Sequence, residues 1–522
     1  MLGAAVSVPY PSWLNPGDNT WQLVAATFVG LMSLPALAVL YASIVQKKWA
    51  VNVLAMMFSG FSLVLVAWVL WSYKMGFGGT SLGHGVVNGC QAWVGACGSA
   101  TKATTGGWFS HFMSNLVGHP GQITNSQQEL GQAVSAANTV IPFHFPTTTL
   151  AYFQFVFAAI TPLLFMGSVL GRIKFSAWCL LVPLWSTFVY AIDAFLLWGG
   201  GYFAQEGAVD FSGGFVIHMS AGVSGFVAAW ILGPRLQRDR EHALPNNLVM
   251  AAVGAGILWL GWNGFNGGDP YYAGADAAAA VVNTNLATAA GVLVWIGMDA
   301  WLSRTRKPTF LGGVNGMICG LVGITPCAGW VNGWGALAVG LICTGVVWVA
   351  WNYLSKVRPF SKVDDALGVI YTHGIAGFVG GLLVGVFSDP GMVEYPCGAA
   401  HVPATYAPSS TACAPFSVNG LMYTGSAHQL WEQFRAAIWV IAWSALATFV
   451  IMWVLKLVLR GVRYKDDVLE VGDLAIHDEE AFPEERFATR VGGGAPGAFE
   501  LAGIGARSPD RPAVGSEQSP AH

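Results

Sequence analysis

Long apolar runs separated by short polar connections dominate the chain. A helix needs roughly 17–25 such residues to cross a bilayer. Eleven runs are marked at about 20–45, 51–74, 147–170, 176–200, 210–233, 247–268, 278–302, 310–328, 332–355, 366–387 and 429–458. The eighth is short and Gly-rich, so ten or twelve spans also fit the hydropathy. The pattern predicts an all-α, polytopic membrane protein of eleven transmembrane helices.

The polar connections set an orientation. Alternate loops carry Lys47 and Lys48; Arg172 and Lys174; Arg235, Arg238 and Arg240; Arg304, Arg306 and Lys307; Lys356, Arg358 and Lys362; Arg460, Arg463 and Lys465 then follow the last run. The remaining loops hold little basic charge beyond Lys74 and Lys102. Because basic loops stay in the cytoplasm, the N-terminus is expected outside and the C-terminus inside. No basic segment precedes the first run and Pro9 and Pro11 interrupt its approach, so no signal peptide is expected. Cys90 and Cys97 fall in one outer loop, and Cys397 and Cys413 in another, where loop closure favours pairing within each loop. Cys179, Cys319, Cys327 and Cys343 read as packing residues.

Two of the runs begin alike. Asp210 stands eight residues before His218, and Asp365 eight before His373; Ala221-Gly222 and Ala376-Gly377 follow at the same offset. The fifth run heads inward and the tenth outward, so two turns from opposite faces bring both histidines toward one midplane, each roughly 12 Å deep, side by side and sharing a hydrogen bond. Five runs per half is odd, which inverts the second half and predicts a five-plus-five inverted repeat. Each aspartate is suited to capping a helix start. A lone histidine there would read as a satisfied core residue, but a matched pair reads as a transport site. Haem or metal ligation is disfavoured, because no span carries paired histidines or a Cys/His cluster.

Composition agrees. Hydrophobic residues make up 54% and charged residues 10% of the chain, against about 25% charged in soluble domains. A net charge of −3 excludes a nucleic-acid surface. The transmembrane domain is expected over 15–460, with repeat one at about 20–233, repeat two at about 247–387 and a final helix at about 429–458. A cytoplasmic tail occupies 461–522, and its Gly/Pro/Ser-rich composition predicts disorder after about 492.

Several segments together resemble the ammonium transporter family (the Amt/Mep/Rh superfamily), across nearly all of 15–482. They are Asp210-Phe-Ser-Gly-Gly-Phe-Val-Ile-His218, Phe157-Ala-Ala-Ile-Thr161, Trp198-Gly-Gly-Gly201, Gly261-Trp-Asn-Gly-Phe265-Asn266, Asn283-Thr-Asn-Leu-Ala-Thr288, Gly323-Ile-Thr-Pro326 and Thr372-His373-Gly374. The Gly-Phe-Asn-Gly-Gly-Asp-Pro variant resembles the Mep-like and second plant-type branch. The resemblance implies that Phe157 and Phe265 gate the outer entrance and that Trp198 lines the vestibule. It implies that His218 and His373 are twin pore histidines. It further implies a plasma-membrane homotrimer that moves ammonium or methylammonium, or ammonia together with a proton, with no enzymatic activity and no cofactor, and a PII-type regulatory protein as a partner of the cytoplasmic face. An ammonium sensor with little flux is the rival reading.

The chemistry fits those residue types. Aromatic faces offset part of a cation's desolvation, by about 2 kcal/mol or more. Deeper apolar surroundings favour ammonia over the ion, and imidazoles can exchange hydrogen bonds with it and relay a proton. Three positions depart from the family. Asp269 stands where a serine is usual in the recruitment site, and reads either as a cation collector or as a turn cap. Gly368 replaces a frequent aspartate, and Asp478 a usual glycine in the tail. Asp210 is expected to organise the vestibule rather than to carry substrate.

Overall fold

A computed structural model describes residues 11–78, 80–81, 85–86, 108–134, 142–241, 244–392 and 417–482. The bundle helices are α1 (Pro16–Ile44), α2 (Lys47–Phe77), α3 (Thr147–Val169), α4 (Phe175–Glu206), α5 (Gly214–Leu232), α6 (Leu248–Gly267), α7 (Ala275–Leu302), α8 (Phe310–Ile324), α9 (Gly333–Lys356), α10 (Ile370–Phe387) and α11 (His428–Val458). All but α8 are long and apolar enough to cross a membrane; α8 has 15 residues. The four cysteines expected to pair, Lys102 and the tail beyond 482 lie outside the described residues.

The sequence explains which helices are central. The apolar residues of α3 face all directions rather than one stripe, and nearly all of them are buried. A helix apolar all round belongs in the middle of a bundle. Longer helices such as α11 keep an exposed apolar face. Side-chain caps fix several starts: Asn15 accepts from the N–H groups of Gly17 and Asp18, Asn247 from Met250, and Asn332 from Trp334 and Gly335.

The two histidine helices start later than their apolar runs. α5 begins at Gly214 and α10 at Ile370, not near 210 and 366. Gly213 (φ 106°) and Gly368 (φ 70°) stand in the left-handed region just before each start, and the aspartate side chains fold forward onto the first turn. Both helices open with a six-residue π-helical segment, Gly214–Met219 and Ile370–Ile375. Each histidine is the penultimate or third-last residue of a wide turn of the kind that recurs at functional sites.

The basic loops gather at one end of the bundle. There Arg172, fully buried, donates to the carbonyls of Gly233, Leu170 and Asp364. Arg235 forms a two-pronged pair with Asp364 at 2.7 and 2.9 Å. The chain after α11 returns beneath them: Lys174 donates its N–H to Val462, and Tyr464 its own to Arg172. Two short helices, α12 (Asp466–Val471) and α13 (Asp473–His477), then reach α2. The Asp473 carboxylate accepts the N–H groups of Val51 (2.7 Å) and Asn52 (2.9 Å). Burial pushes this carboxyl up to about 6 against the pull of those bonds. Asp478 ends α13 at φ 56°. That conformation explains why a glycine is usual there, and aspartate adopts it at modest cost.

Candidate functional site

The sequence-matched residues form one column through the bundle. Phe157 of α3 and Phe265 of α6 lie with ring centroids 4.4 Å apart, tilted by 36°. Phe265 stacks on His218 at 5.9 Å, and His218 lies 5.6 Å from His373. Phe157, Phe265 and His218 have no solvent exposure, and His373 has 5%. Beyond His373 a cavity of about 530 Å³ opens toward the basic end, lined in part by Tyr41, Trp49, Asp365, Tyr371 and Thr372.

Two small-residue contacts bring the histidines together. A side-chain carbon on Gly222 would collide with the backbone of Gly374, and one on Gly377 with Gly214 and His218. The Ala-Gly pairs after each histidine are therefore the crossing point of α5 and α10. The imidazoles do not hydrogen-bond each other. Both nitrogens of His218 are unpartnered, whereas His373 Nδ1 lies 2.9 Å from the Thr372 hydroxyl. Thr372 engages His373 Nδ1, the rings tilt by 53°, and an expected direct bond between the pair is not formed.

Asp210 caps the start of α5. Its Oδ1 accepts the N–H of Gly214 (2.6 Å), and its Oδ2 those of Phe215 and Val216 (both 2.9 Å). Its counterpart Asp365 accepts the N–H of Ile370 on Oδ2 (2.8 Å), and its Oδ1 has no well-formed hydrogen bond. Trp198 donates its indole N–H to the Asp210 carbonyl at 2.6 Å and stacks on Phe77 at 6.3 Å. The Gly323–Pro326 motif supports the same turn, since Phe211 and Ser212 donate to Pro326 and Thr325. Asn283 ties α7 to the turn after α8 through the carbonyls of Ala328 and Val331.

Asp269 follows Gly268, which packs against the Phe153 ring. Its Oδ2 is buried and accepts no hydrogen bond. The turn is closed instead by Tyr271 N–H donating to Gly268 at 3.0 Å, so the capping reading of Asp269 has no support from this oxygen. Burial pushes its carboxyl well above the usual range; the nearby Ser212 hydroxyl opposes this and Asp210 adds to it.

Phe153, Trp262, Tyr271 and Gln154 were not singled out from the sequence. Phe153 lies 4.7 Å from Phe157, one helical turn earlier, a spacing that was visible in the sequence. Trp262 stacks on His218 at 5.3 Å and donates to Thr325 at 2.9 Å. Tyr271, at φ 63°, receives the amide N–H of Gln154 on its hydroxyl at 2.6 Å. Gly368 has no room for the aspartate common at that place: its left-handed backbone points any side chain into Trp351.

The family model for the Ammonium Transporter Family matches residues 20–482. The chain is 43% identical over 478 residues to "Ammonium transporter 3 member 2" of Oryza sativa subsp. japonica, covering 91% of each chain. It is 41% identical to "Ammonium transporter 2" of Arabidopsis thaliana, covering 90% of this chain and 89% of that one. Its fold is similar to the crystal structure of Saccharomyces cerevisiae Mep2, with a TM-score of 0.67 at 24% identity over 87% of this chain and 89% of that one. With the membrane-length helices, these matches establish that the chain is a multi-pass membrane protein of the ammonium transporter family.

Proposed function

We propose that the protein moves ammonium nitrogen across the plasma membrane by collecting the cation, removing its proton and passing ammonia along the histidine pair. The observation that carries this reading is the closed column Phe157–Phe265–His218–His373, apolar at its mouth and imidazole-lined beyond. A bare ion there would lose its hydration, at a cost of several kcal/mol. Ammonia loses far less and finds hydrogen-bonding partners in His218 and His373. Potassium has no proton to give up, so the proton-removing step is also the selective one.

Asp269 and Trp198 serve as the recruiting site on the outer side of Phe157 and Phe265. The basic end faces the cytoplasm, following the charge bias of the loops. The separation of the two rings favours ammonia crossing without a proton handed between them. By family resemblance the working unit is a homotrimer, and the docked tail offers its face to a PII-type regulator.

The test uses proteoliposomes of the full chain with an inward ammonium gradient and an internal pH indicator. Internal alkalinisation faster than in protein-free vesicles, without potassium entering, is expected. No difference from protein-free vesicles overturns the reading.

A further inference from the structure

At the mouth of the column, buried polar atoms, two of them acceptor-only oxygens, collect with few partners. Asp269 Oδ2, Gln154 Oε1, the Tyr190 hydroxyl and the Ser212 hydroxyl are all buried without a well-formed hydrogen bond, although the Ser212 hydroxyl lies near enough to act on the Asp269 carboxyl. Gln154 is 2% exposed, and its amide is held in place by its Nε2 bond to Tyr271. Tyr190 and Tyr271 both lie within electrostatic reach of Asp269. Buried polar groups are normally paired, and each unpaired one needs a reason. A cation with several N–H donors supplies that reason.

We propose that Asp269 is the base that takes the proton from ammonium, before ammonia passes Phe157 and Phe265. The inference rests on the transport reading above and names the atom that carries out its proton-removing step. In the step, an N–H bond of ammonium breaks and an O–H bond forms on Asp269 Oδ2. The bonding electrons stay on nitrogen, so the products are neutral ammonia and a neutral carboxylic acid. Ammonia moves inward between the phenylalanine rings. The acid then returns its proton to the outer water, which restores the carboxylate, and one ammonia has crossed without net charge.

The neighbouring groups leave Asp269 as the candidate. Asp210 is the other carboxylate, but its two oxygens already accept three N–H groups, which hold it as a cap and weaken it as a base. Gln154 is neutral and offers a hydrogen bond without basicity. Tyr190, Tyr271 and Tyr73 are phenols that carry their own protons at neutral pH. Among the described residues no counter-cation faces Asp269, so its carboxylate draws a cation in. Once both are shielded from water, the neutral pair gains on the ion pair, because burial penalises both charges.

The experiment measures initial alkalinisation rates against ammonium concentration, at several external pH values, for the wild type, Asp269→Asn and Asp269→Glu. Among the described residues, the titratable groups facing the site are Asp210, Tyr190, Tyr271 and Tyr73. The proposal expects Asp269→Asn to lower the maximal rate about tenfold or more near neutral pH. Asp269→Glu should restore most of it. The Asn defect should shrink as external pH rises, because more nitrogen then arrives already neutral; that recovery also shows that the variant is folded. A raised half-saturating concentration with an unchanged maximal rate would make Asp269 a collector only and overturn the proposal. Equal loss in Asn and Glu at every pH would make it structural, with the same consequence. A wild type no faster than protein-free vesicles would instead overturn the transport reading itself.

Discussion

Gly222 of α5 lies directly against Gly374 of α10, with no space for a side chain between them. The contact falls just beyond each histidine and holds the two imidazoles at 5.6 Å. Gly222→Ala should therefore cost about 1–3 kcal/mol through overpacking and lower transport by spreading the column. Gly256→Ala is the control, since a side chain there meets nothing. Thermal unfolding in detergent with parallel flux assays checks this; equal behaviour of the two variants would detach the glycine contact from the site.

Asp210 should act through its three backbone N–H bonds. Asp210→Ala leaves those buried donors unpaired and should cost roughly 2 kcal/mol or more, with loss of folded protein. Asp210→Asn keeps one acceptor and should retain measurable protein and some flux. A stable, fully active Ala variant would show that the cap matters to neither.

Much of this was legible in the sequence because matched motifs report matched geometry. The paired Asp-to-His spacing located His218 and His373, and the phenylalanine segments located Phe157 and Phe265. The helix starts were not legible, because hydropathy does not register a left-handed glycine or an aspartate folding forward over one turn. Gln154 and Tyr271 were hidden for another reason. They lie 117 residues apart, and only the packed bundle brings the amide to the phenol.

Asp364 gives a signed pH dependence. Burial raises its carboxyl, but the hydrogen bond and charge of Arg235, with Arg172, outweigh this and hold it at about 2. A folded-state value below the unfolded one means stability that is fully present above about pH 4 and lost as pH falls through about 2. Asp364→Asn should destabilise by about 2 kcal/mol at pH 7, and the gap should narrow in acid. A gap that stays constant as the pH is lowered toward about 2 would contradict this.

Asp473 is one anchor of the tail on the bundle. Asp473→Ala removes the carboxylate that accepts from Val51 and Asn52, and should loosen the segment after Gly461 by about 1 kcal/mol. Faster proteolysis between 461 and 482, with the bundle intact, is the expected result. Unchanged protection would assign the docking to the other tail contacts, among them Lys174 with Val462, Tyr464 with Arg172, Lys48 with Leu469 and Asn52 with His477.

The central claim is that ammonium nitrogen crosses past His218 and His373 as ammonia. It is tested most directly by alkalinisation rates in proteoliposomes of the His218→Leu, His373→Leu double variant, with potassium flux measured in parallel. The account predicts that the ammonium-dependent rate falls toward that of protein-free vesicles, because two leucines would offer ammonia no hydrogen bond along the column. A wild-type rate with full selectivity over potassium in the double variant would contradict it and return both histidines to packing.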